Sequence, residues 1–232
     1  MARYTKNYSS LLKRLDEVRI LIASAKKQEL KNPIKLQPEI NALCRASIVL
    51  LSSHLEAYVK ELGESAIDSL YSNSITREKI HPSVFYHSSK DYIDEIKNSN
   101  QPDKISEKIF NFVRQDGEIW NTDDSLPRPL SSEKFNKGFA SPSFEKIKSY
   151  FNRFGYSEYQ RELSRNLKGD YLPVTNMINQ LVDTRNQIAH GDPGATKTPQ
   201  EADDMKRLTT VFCRETDIVF ANWWKKTYCS IR

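Results

Sequence analysis

Residues 38–71 carry an apolar side chain every three or four positions: Ile40, Leu43, Cys44, Ile48, Leu51, Leu55, Tyr58 and Leu62. That period fits the turn of an α-helix and not the alternation of a strand. Pro38 suits a first helical turn, where its missing amide costs nothing. The spacing predicts one long helix. Val49 and Leu50 widen its stripe, so the helix is expected to be buried on more than one side.

The same period recurs at both ends of the chain. Leu11, Leu12, Leu15, Val18 and Ile22 mark a helix over 6–30, which the Asn32-Pro33 pair ends. Asp170 and Pro173 open another, with Val174, Met177, Ile178, Leu181, Val182, Ile188 and Ala189 on one face. Gly191-Asp192-Pro193-Gly194 stops it. Thr198-Pro199-Gln200-Glu201 reads as a capping box with proline at the first helical position. The helix it opens is predicted to run to about Tyr228, through Met205, Leu208, Val211, Phe212, Val219 and Trp223.

Between these segments, Pro82, Pro102, Pro127, Pro129 and Pro142 punctuate shorter helical pieces near 89–98, 102–115 and 143–154. The stretch DGEIWNTDDSLPRPLSS, residues 116–132, is polar and rich in turn formers, and is expected to be a long surface loop. The expected architecture is all-α: one domain over 1–232, a bundle of four long helices with a helical, loop-rich insertion over about 72–170.

Composition narrows the function. The 232 residues hold 35 Lys plus Arg against 30 Asp plus Glu, a net charge of +5 that tolerates an anionic partner without requiring one. No apolar run approaches the ~20 residues of a membrane helix, and the N-terminus lacks the apolar core of a signal peptide. Cys44, Cys213 and Cys229 are scattered, which fits reduced thiols in the cytoplasm. The histidines at 54, 81, 87 and 190 show no zinc spacing, so neither a metal site nor a cofactor is expected. With only seven glycines there is no dinucleotide or Walker-type loop, and no G-x-S-x-G elbow.

One segment breaks its own pattern. On the helix over 173–190, the steps from Val174 through Ile178 and Leu181 put Arg185 on the apolar stripe, where an unpaired guanidinium is costly. Asn186 and His190 flank that stripe, four residues apart. An Arg followed four to six residues later by His arises by chance roughly 0.7 times in a chain of this composition, so the spacing alone identifies nothing. On the residues alone, Arg185 is equally a structural arginine paired with an acid such as Glu56, and His190 a histidine favoured at a helix C-terminus.

Thr184-Arg185-Asn186-Gln187-Ile188-Ala189-His190-Gly191 resembles the R-x(4–6)-H signature of the HEPN superfamily. Upstream, the stretch from Cys44-Arg45-Ala46-Ser47 to His54-Leu55-Glu56-Ala57-Tyr58 and on to Leu62 is similar to the long early helix of bacterial HEPN-like nucleases. The order of the segments agrees as well: an early long helix, a variable middle, the motif helix, then a closing helix. The resemblance implies a metal-independent endoribonuclease of toxin or defence type, built as a homodimer with both motifs facing one cleft and restrained by a partner such as an antitoxin. Carried over, His190 exchanges a proton with the RNA 2′-hydroxyl, Arg185 meets charge on the scissile phosphate, and Asn186 orients one of them. The alternatives are a non-catalytic HEPN-like module binding RNA, a nucleotide or a protein, and a helical scaffold in which Arg185 is an ion-pair residue.

Two further groups stay open between readings. Glu56 shares a face with Arg45 and Val49, and either positions Arg185 or His190 or is an ordinary flank charge. Over 144–168, aromatic residues alternate with six basic residues, making Lys146, Lys148, Arg153 and Tyr156 candidates for gripping single-stranded RNA. The competing reading places those aromatics in the core.

Overall fold

The structure is a computed structural model, and it describes residues 3–121 and 124–232. Four long helices frame it: α1 (Lys6–Lys31), α2 (Gln37–Ser72), α9 (Tyr171–Ala189) and α10 (Pro199–Thr227). Their ends follow local chemistry. The Thr5 hydroxyl accepts from the Tyr8 amide at the start of α1, and the box between Thr198 and Glu201 closes reciprocally at the start of α10. α1 lies along α2 and α10, and α9 packs against both α2 and α10.

The segment between α2 and α9 is built from short helices: α3 (Pro82–Ser88), α4 (Lys90–Lys97), α5 (Pro102–Trp120), α6 (Ser132–Asn136), α7 (Phe144–Asn152) and α8 (Tyr159–Leu167). Short 3₁₀ turns sit at Arg77–Lys79 and Lys168–Asp170. Among the described residues there is no strand, only an isolated bridge between Thr76 and Ser125. The fold is all-α, as the periodicity predicts, and no helix of the described residues is long and apolar enough to cross a membrane.

Leu11, Leu15, Val18 and Ile22 of α1 meet Ile48, Leu51, Leu55, Tyr58 and Leu62 of α2 in one continuous apolar core. The middle segment completes that core with rings. Phe135, Tyr150, Phe151, Phe154, Tyr156 and Tyr159 are all fully buried, and Phe151 lies 4.8 Å from Phe220 of α10, ring centre to ring centre. Offset and edge-on packing of this kind adds to the burial of each ring. A backbone approach helps seat the belt: a Cβ on Gly63 of α2 would lie within 2.9 Å of Tyr150 ring carbons.

Two expectations need correction. The stretch 116–132 is not a surface loop throughout: its first five residues finish α5, and Asp116, Ile119, Leu126 and Leu130 are buried. Its apolar residues are drawn into the core, and the Arg77 Nε and backbone amide both donate to the Asp124 carbonyl, at 2.8 and 3.0 Å. Thr122 and Asp123 of that stretch lie outside the described residues. The second correction concerns Val49 and Leu50 alone: α2 is packed on more than one side, by α1, α9 and α10, but Val49 is exposed and Leu50 only half-buried.

Candidate functional site

α9 ends in a turn that presents His190. Gly191 takes a φ of +79°, a left-handed conformation that costs glycine little. The Gly191 amide donates to the Ile188 carbonyl at 3.1 Å, and the Asp192 amide reaches back to Gln187 at 3.1 Å. These are the two crossed bonds of a Schellman closure, with His190 as the capping residue. Its imidazole is exposed and makes no hydrogen bond among the described residues.

Arg185 lies just over one turn earlier and is half-buried. Its Nη1 donates to the Asn186 Oδ1 at 3.1 Å, and among the described residues no carboxylate stands within ion-pair distance. The guanidinium is therefore held by a neutral amide, which orients it without cancelling its charge. The Asn186 carbonyl also accepts the His190 amide at 2.9 Å, so Asn186 touches both members of the motif.

Arg45 of α2, which sequence reasoning gave no role, closes this end of the molecule. Its Nη1 donates to the Asp192 carbonyl at 2.8 Å and to the Ala195 carbonyl at 3.3 Å. The turn after His190 is thereby tied to a different helix. An arginine off the main stripe of α2 was visible in the sequence, but its carbonyl partners lie about 150 residues away. Beside the turn, Leu21, Arg45, Ala46, Val49, Leu50 and Ile188 line an open groove of about 450 Å³, and its walls are mostly apolar.

The other predicted residues are not brought here. Glu56 accepts from Lys60 Nζ at 2.7 Å and from the Ser141 amide at 3.1 Å, and forms no bond to Arg185 or His190. Tyr156 is fully buried, its ring stacked on Trp223 at 4.3 Å with a 9° tilt and its hydroxyl donating to Glu162 at 2.8 Å. It cannot stack a base without leaving the core, which corrects the RNA-gripping reading at this residue. Arg153 is likewise committed: it lies over the Tyr150 ring and donates to the Phe135 and Lys137 carbonyls. Lys148 pairs with Glu145 at 2.6 Å, and Lys146 donates to the Ala140 carbonyl at 3.0 Å. The aromatics of 144–168 fill the core because ring area is worth more against other rings than in water.

Two of the three thiols are shut away from solvent. Cys44 and Cys213 are buried and unpaired. Burial pushes the Cys44 thiol up to about 11 and the Cys213 thiol well above its ordinary value, so both stay protonated. His54 is packed, 3.9 Å from Glu17, and burial with Arg14 nearby lowers its pKa. Among the described residues no group of three or more His, Cys, Asp or Glu side chains is arranged to hold a metal ion.

A model of the RiboL-PSP-HEPN family matches residues 9–222. No curated protein and no solved structure matches the chain.

Proposed function

The chain belongs to the RiboL-PSP-HEPN family, and from that premise we propose that it is a metal-independent endoribonuclease whose site is Arg185, Asn186 and His190. The observation that carries the reading is a charge left available: Arg185 is half-buried with no carboxylate partner among the described residues, close along α9 to an exposed imidazole. A cation oriented by a neutral amide suits a phosphate, and a free imidazole suits proton transfer.

In the proposed reaction, His190 takes the proton of an RNA 2′-hydroxyl. The freed oxygen attacks the adjacent phosphorus, and the bond from phosphorus to the 5′-oxygen breaks. Arg185 meets the negative charge that grows on the phosphate. The departing 5′-oxygen receives a proton, leaving a 2′,3′-cyclic phosphate and a 5′-hydroxyl. DNA lacks the attacking group and is not a substrate.

One chain offers one imidazole and one guanidinium to this reaction, so a second proton donor comes from a second copy. The groove along Val49, Leu50 and Ile188 adjoins the motif and is open, and we assign it to that copy in a homodimer with both motifs on one cleft. The setting we propose is a cytoplasmic toxin or defence effector restrained by a partner protein, a setting with which the three unpaired cysteines are compatible. Lys146, exposed near the start of α7, is kept as the one RNA contact from the basic segment.

The test is end-group chemistry on a defined RNA. Cyclic phosphate on the upstream product, with loss of cleavage at a nucleotide carrying 2′-deoxyribose, supports the mechanism. No cleavage by folded, dimeric protein assigns the chain instead to a binding module of the same family.

A further inference from the structure

The helices α4 and α5 form an arm that is thinly attached to the bundle. No residue of α4 is buried, and only Asp116 and Ile119 are buried along the whole of α5. Beyond those residues, α5 rests on α4, with half-buried Phe112 6.3 Å from the Tyr92 ring, and Ile105 on the same face is half-buried. A second apolar stripe, turned about 100° from the first, has no cover. It runs through Ile109, Phe110 and Val113, which are 46%, 65% and 58% exposed, and it stops short of Trp120, whose ring packs on Phe85 and Phe112. Exposed apolar side chains are ordinary singly; a continuous stripe on one helix is not.

The charges beside the stripe say what covers it. Glu107 and Arg114 both border the stripe on the side away from α4, and neither has an ion-pair partner among the described residues. They are seven residues apart, so they stand within about 20° of each other around the helix. Opposite charges at equivalent positions make a helix face complementary to itself when two copies run antiparallel, because the same flank of each then comes together. With a twofold axis near Phe110 and Asn111, Glu107 of each copy meets Arg114 of the other. In that register Ile109 comes within one residue of the level of Val113, and the small residue Ser106 within two of Gly117, near the two ends of the contact.

We propose that the exposed face of α5 is a self-association surface, on which a second copy of this chain packs its own α5 in antiparallel register. The surface is separate from the groove beside Ile188: the arm joins the fold next to Phe85 of α3, whereas the groove lies against Arg45 and Val49 in the first half of α2. Two such faces on one chain allow assemblies larger than a dimer. The contact needs no nuclease activity and stands or falls independently of it.

The experiment is a charge exchange read by sedimentation mass. Glu107→Arg and Arg114→Glu are prepared singly, combined in one chain, and mixed 1:1 as the two single variants, with circular dichroism confirming the fold of each. Each single variant places like charges opposite one another twice, and is expected to sediment at a lower mass than the wild type. The double variant, and the 1:1 mixture as a complex containing both chains, are expected to recover the wild-type mass. Single variants at the wild-type mass overturn the proposal. So does a mixture that stays at the mass of its components.

Discussion

Arg45 of α2 donates from one guanidinium nitrogen to the carbonyls of Asp192, at 2.8 Å, and Ala195, at 3.3 Å, and so fixes the turn that follows His190. Both carbonyls lie in the turn beyond α9, outside any helical ladder, and a charged donor from a neighbouring element satisfies such groups strongly. The position of His190 therefore depends on α2 as well as on its own helix. Arg45→Ala is expected to speed amide exchange at residues 191–196 by about tenfold, corresponding to roughly 1.4 kcal/mol for the charged hydrogen bonds lost. Exchange elsewhere in α9 stays unchanged. Arg45→Lys, with a single donor head, restores part of the protection.

Gly63 admits the Tyr150 ring against the backbone of α2, and the Tyr150 hydroxyl continues to Asn136 of α6 at 2.5 Å. A methyl group at 63 displaces the ring and the rings packed on it. Gly63→Ala is expected to destabilise the fold by about 1–3 kcal/mol, the usual cost of overpacking a core, despite the higher helix propensity of alanine. Denaturant unfolding at constant m-value measures it.

His87 packs edge-on against Phe135 at 5.9 Å. Burial, with Arg153 and Lys90 nearby, pulls its pKa down to about 4. The folded chain thus holds His87 neutral where the unfolded chain already binds a proton. Its contribution is complete above about 6.5 and is lost as pH falls toward 4. Wild type is expected to lose more stability than His87→Phe across that window, with the two curves parallel above pH 7. Chemical denaturation at a series of pH values makes the comparison.

Asp217 of α10 is buried and accepts from the Thr5 amide at 3.0 Å and from the Thr5 hydroxyl, which fastens the start of α1 to α10. Burial raises its pKa, and the Thr5 bonds pull the other way without cancelling the rise. In the interval between the ordinary carboxylate value and the raised one, the folded state binds more protons than the unfolded chain. Stability from this group therefore falls as pH rises through that interval. Asp217→Asn keeps an acceptor for Thr5 and removes the dependence. Asp217→Ala leaves the buried Thr5 amide unpaired and is expected to cost about 1–3 kcal/mol, measurable by thermal unfolding.

The long helices were legible because each carries its own evidence: a stripe at helical spacing, proline in the first turn, a capping box at Thr198, glycine after His190. The middle segment was harder, since its residues are ordered by distant partners. Ile119 and Leu126 read as parts of a polar loop until the core draws them in, and Tyr156 looks like a stacking platform until Trp223 covers it. Glu56 shares a helix face with Arg45, yet their partners diverge to Ser141 and Asp192, which no one-dimensional pattern encodes. The spacing of Arg185 and His190 is in the sequence; that no carboxylate among the described residues stands beside Arg185 needed the fold.

Arg185 and His190 both lie outside the apolar core, so their removal is expected to leave the fold within about 0.5 kcal/mol of the wild type. The most direct measurement incubates wild type, Arg185→Ala and His190→Ala, purified identically, with mixed cellular RNA in excess EDTA. Cleavage by the wild type is expected, ending in 2′,3′-cyclic phosphate, with a loss of at least about a hundredfold in each variant, in line with the removal of a general base or a charge-stabilising group. Equal cleavage by all three proteins, or cleavage by the wild type that stops when EDTA is added, contradicts the proposed mechanism.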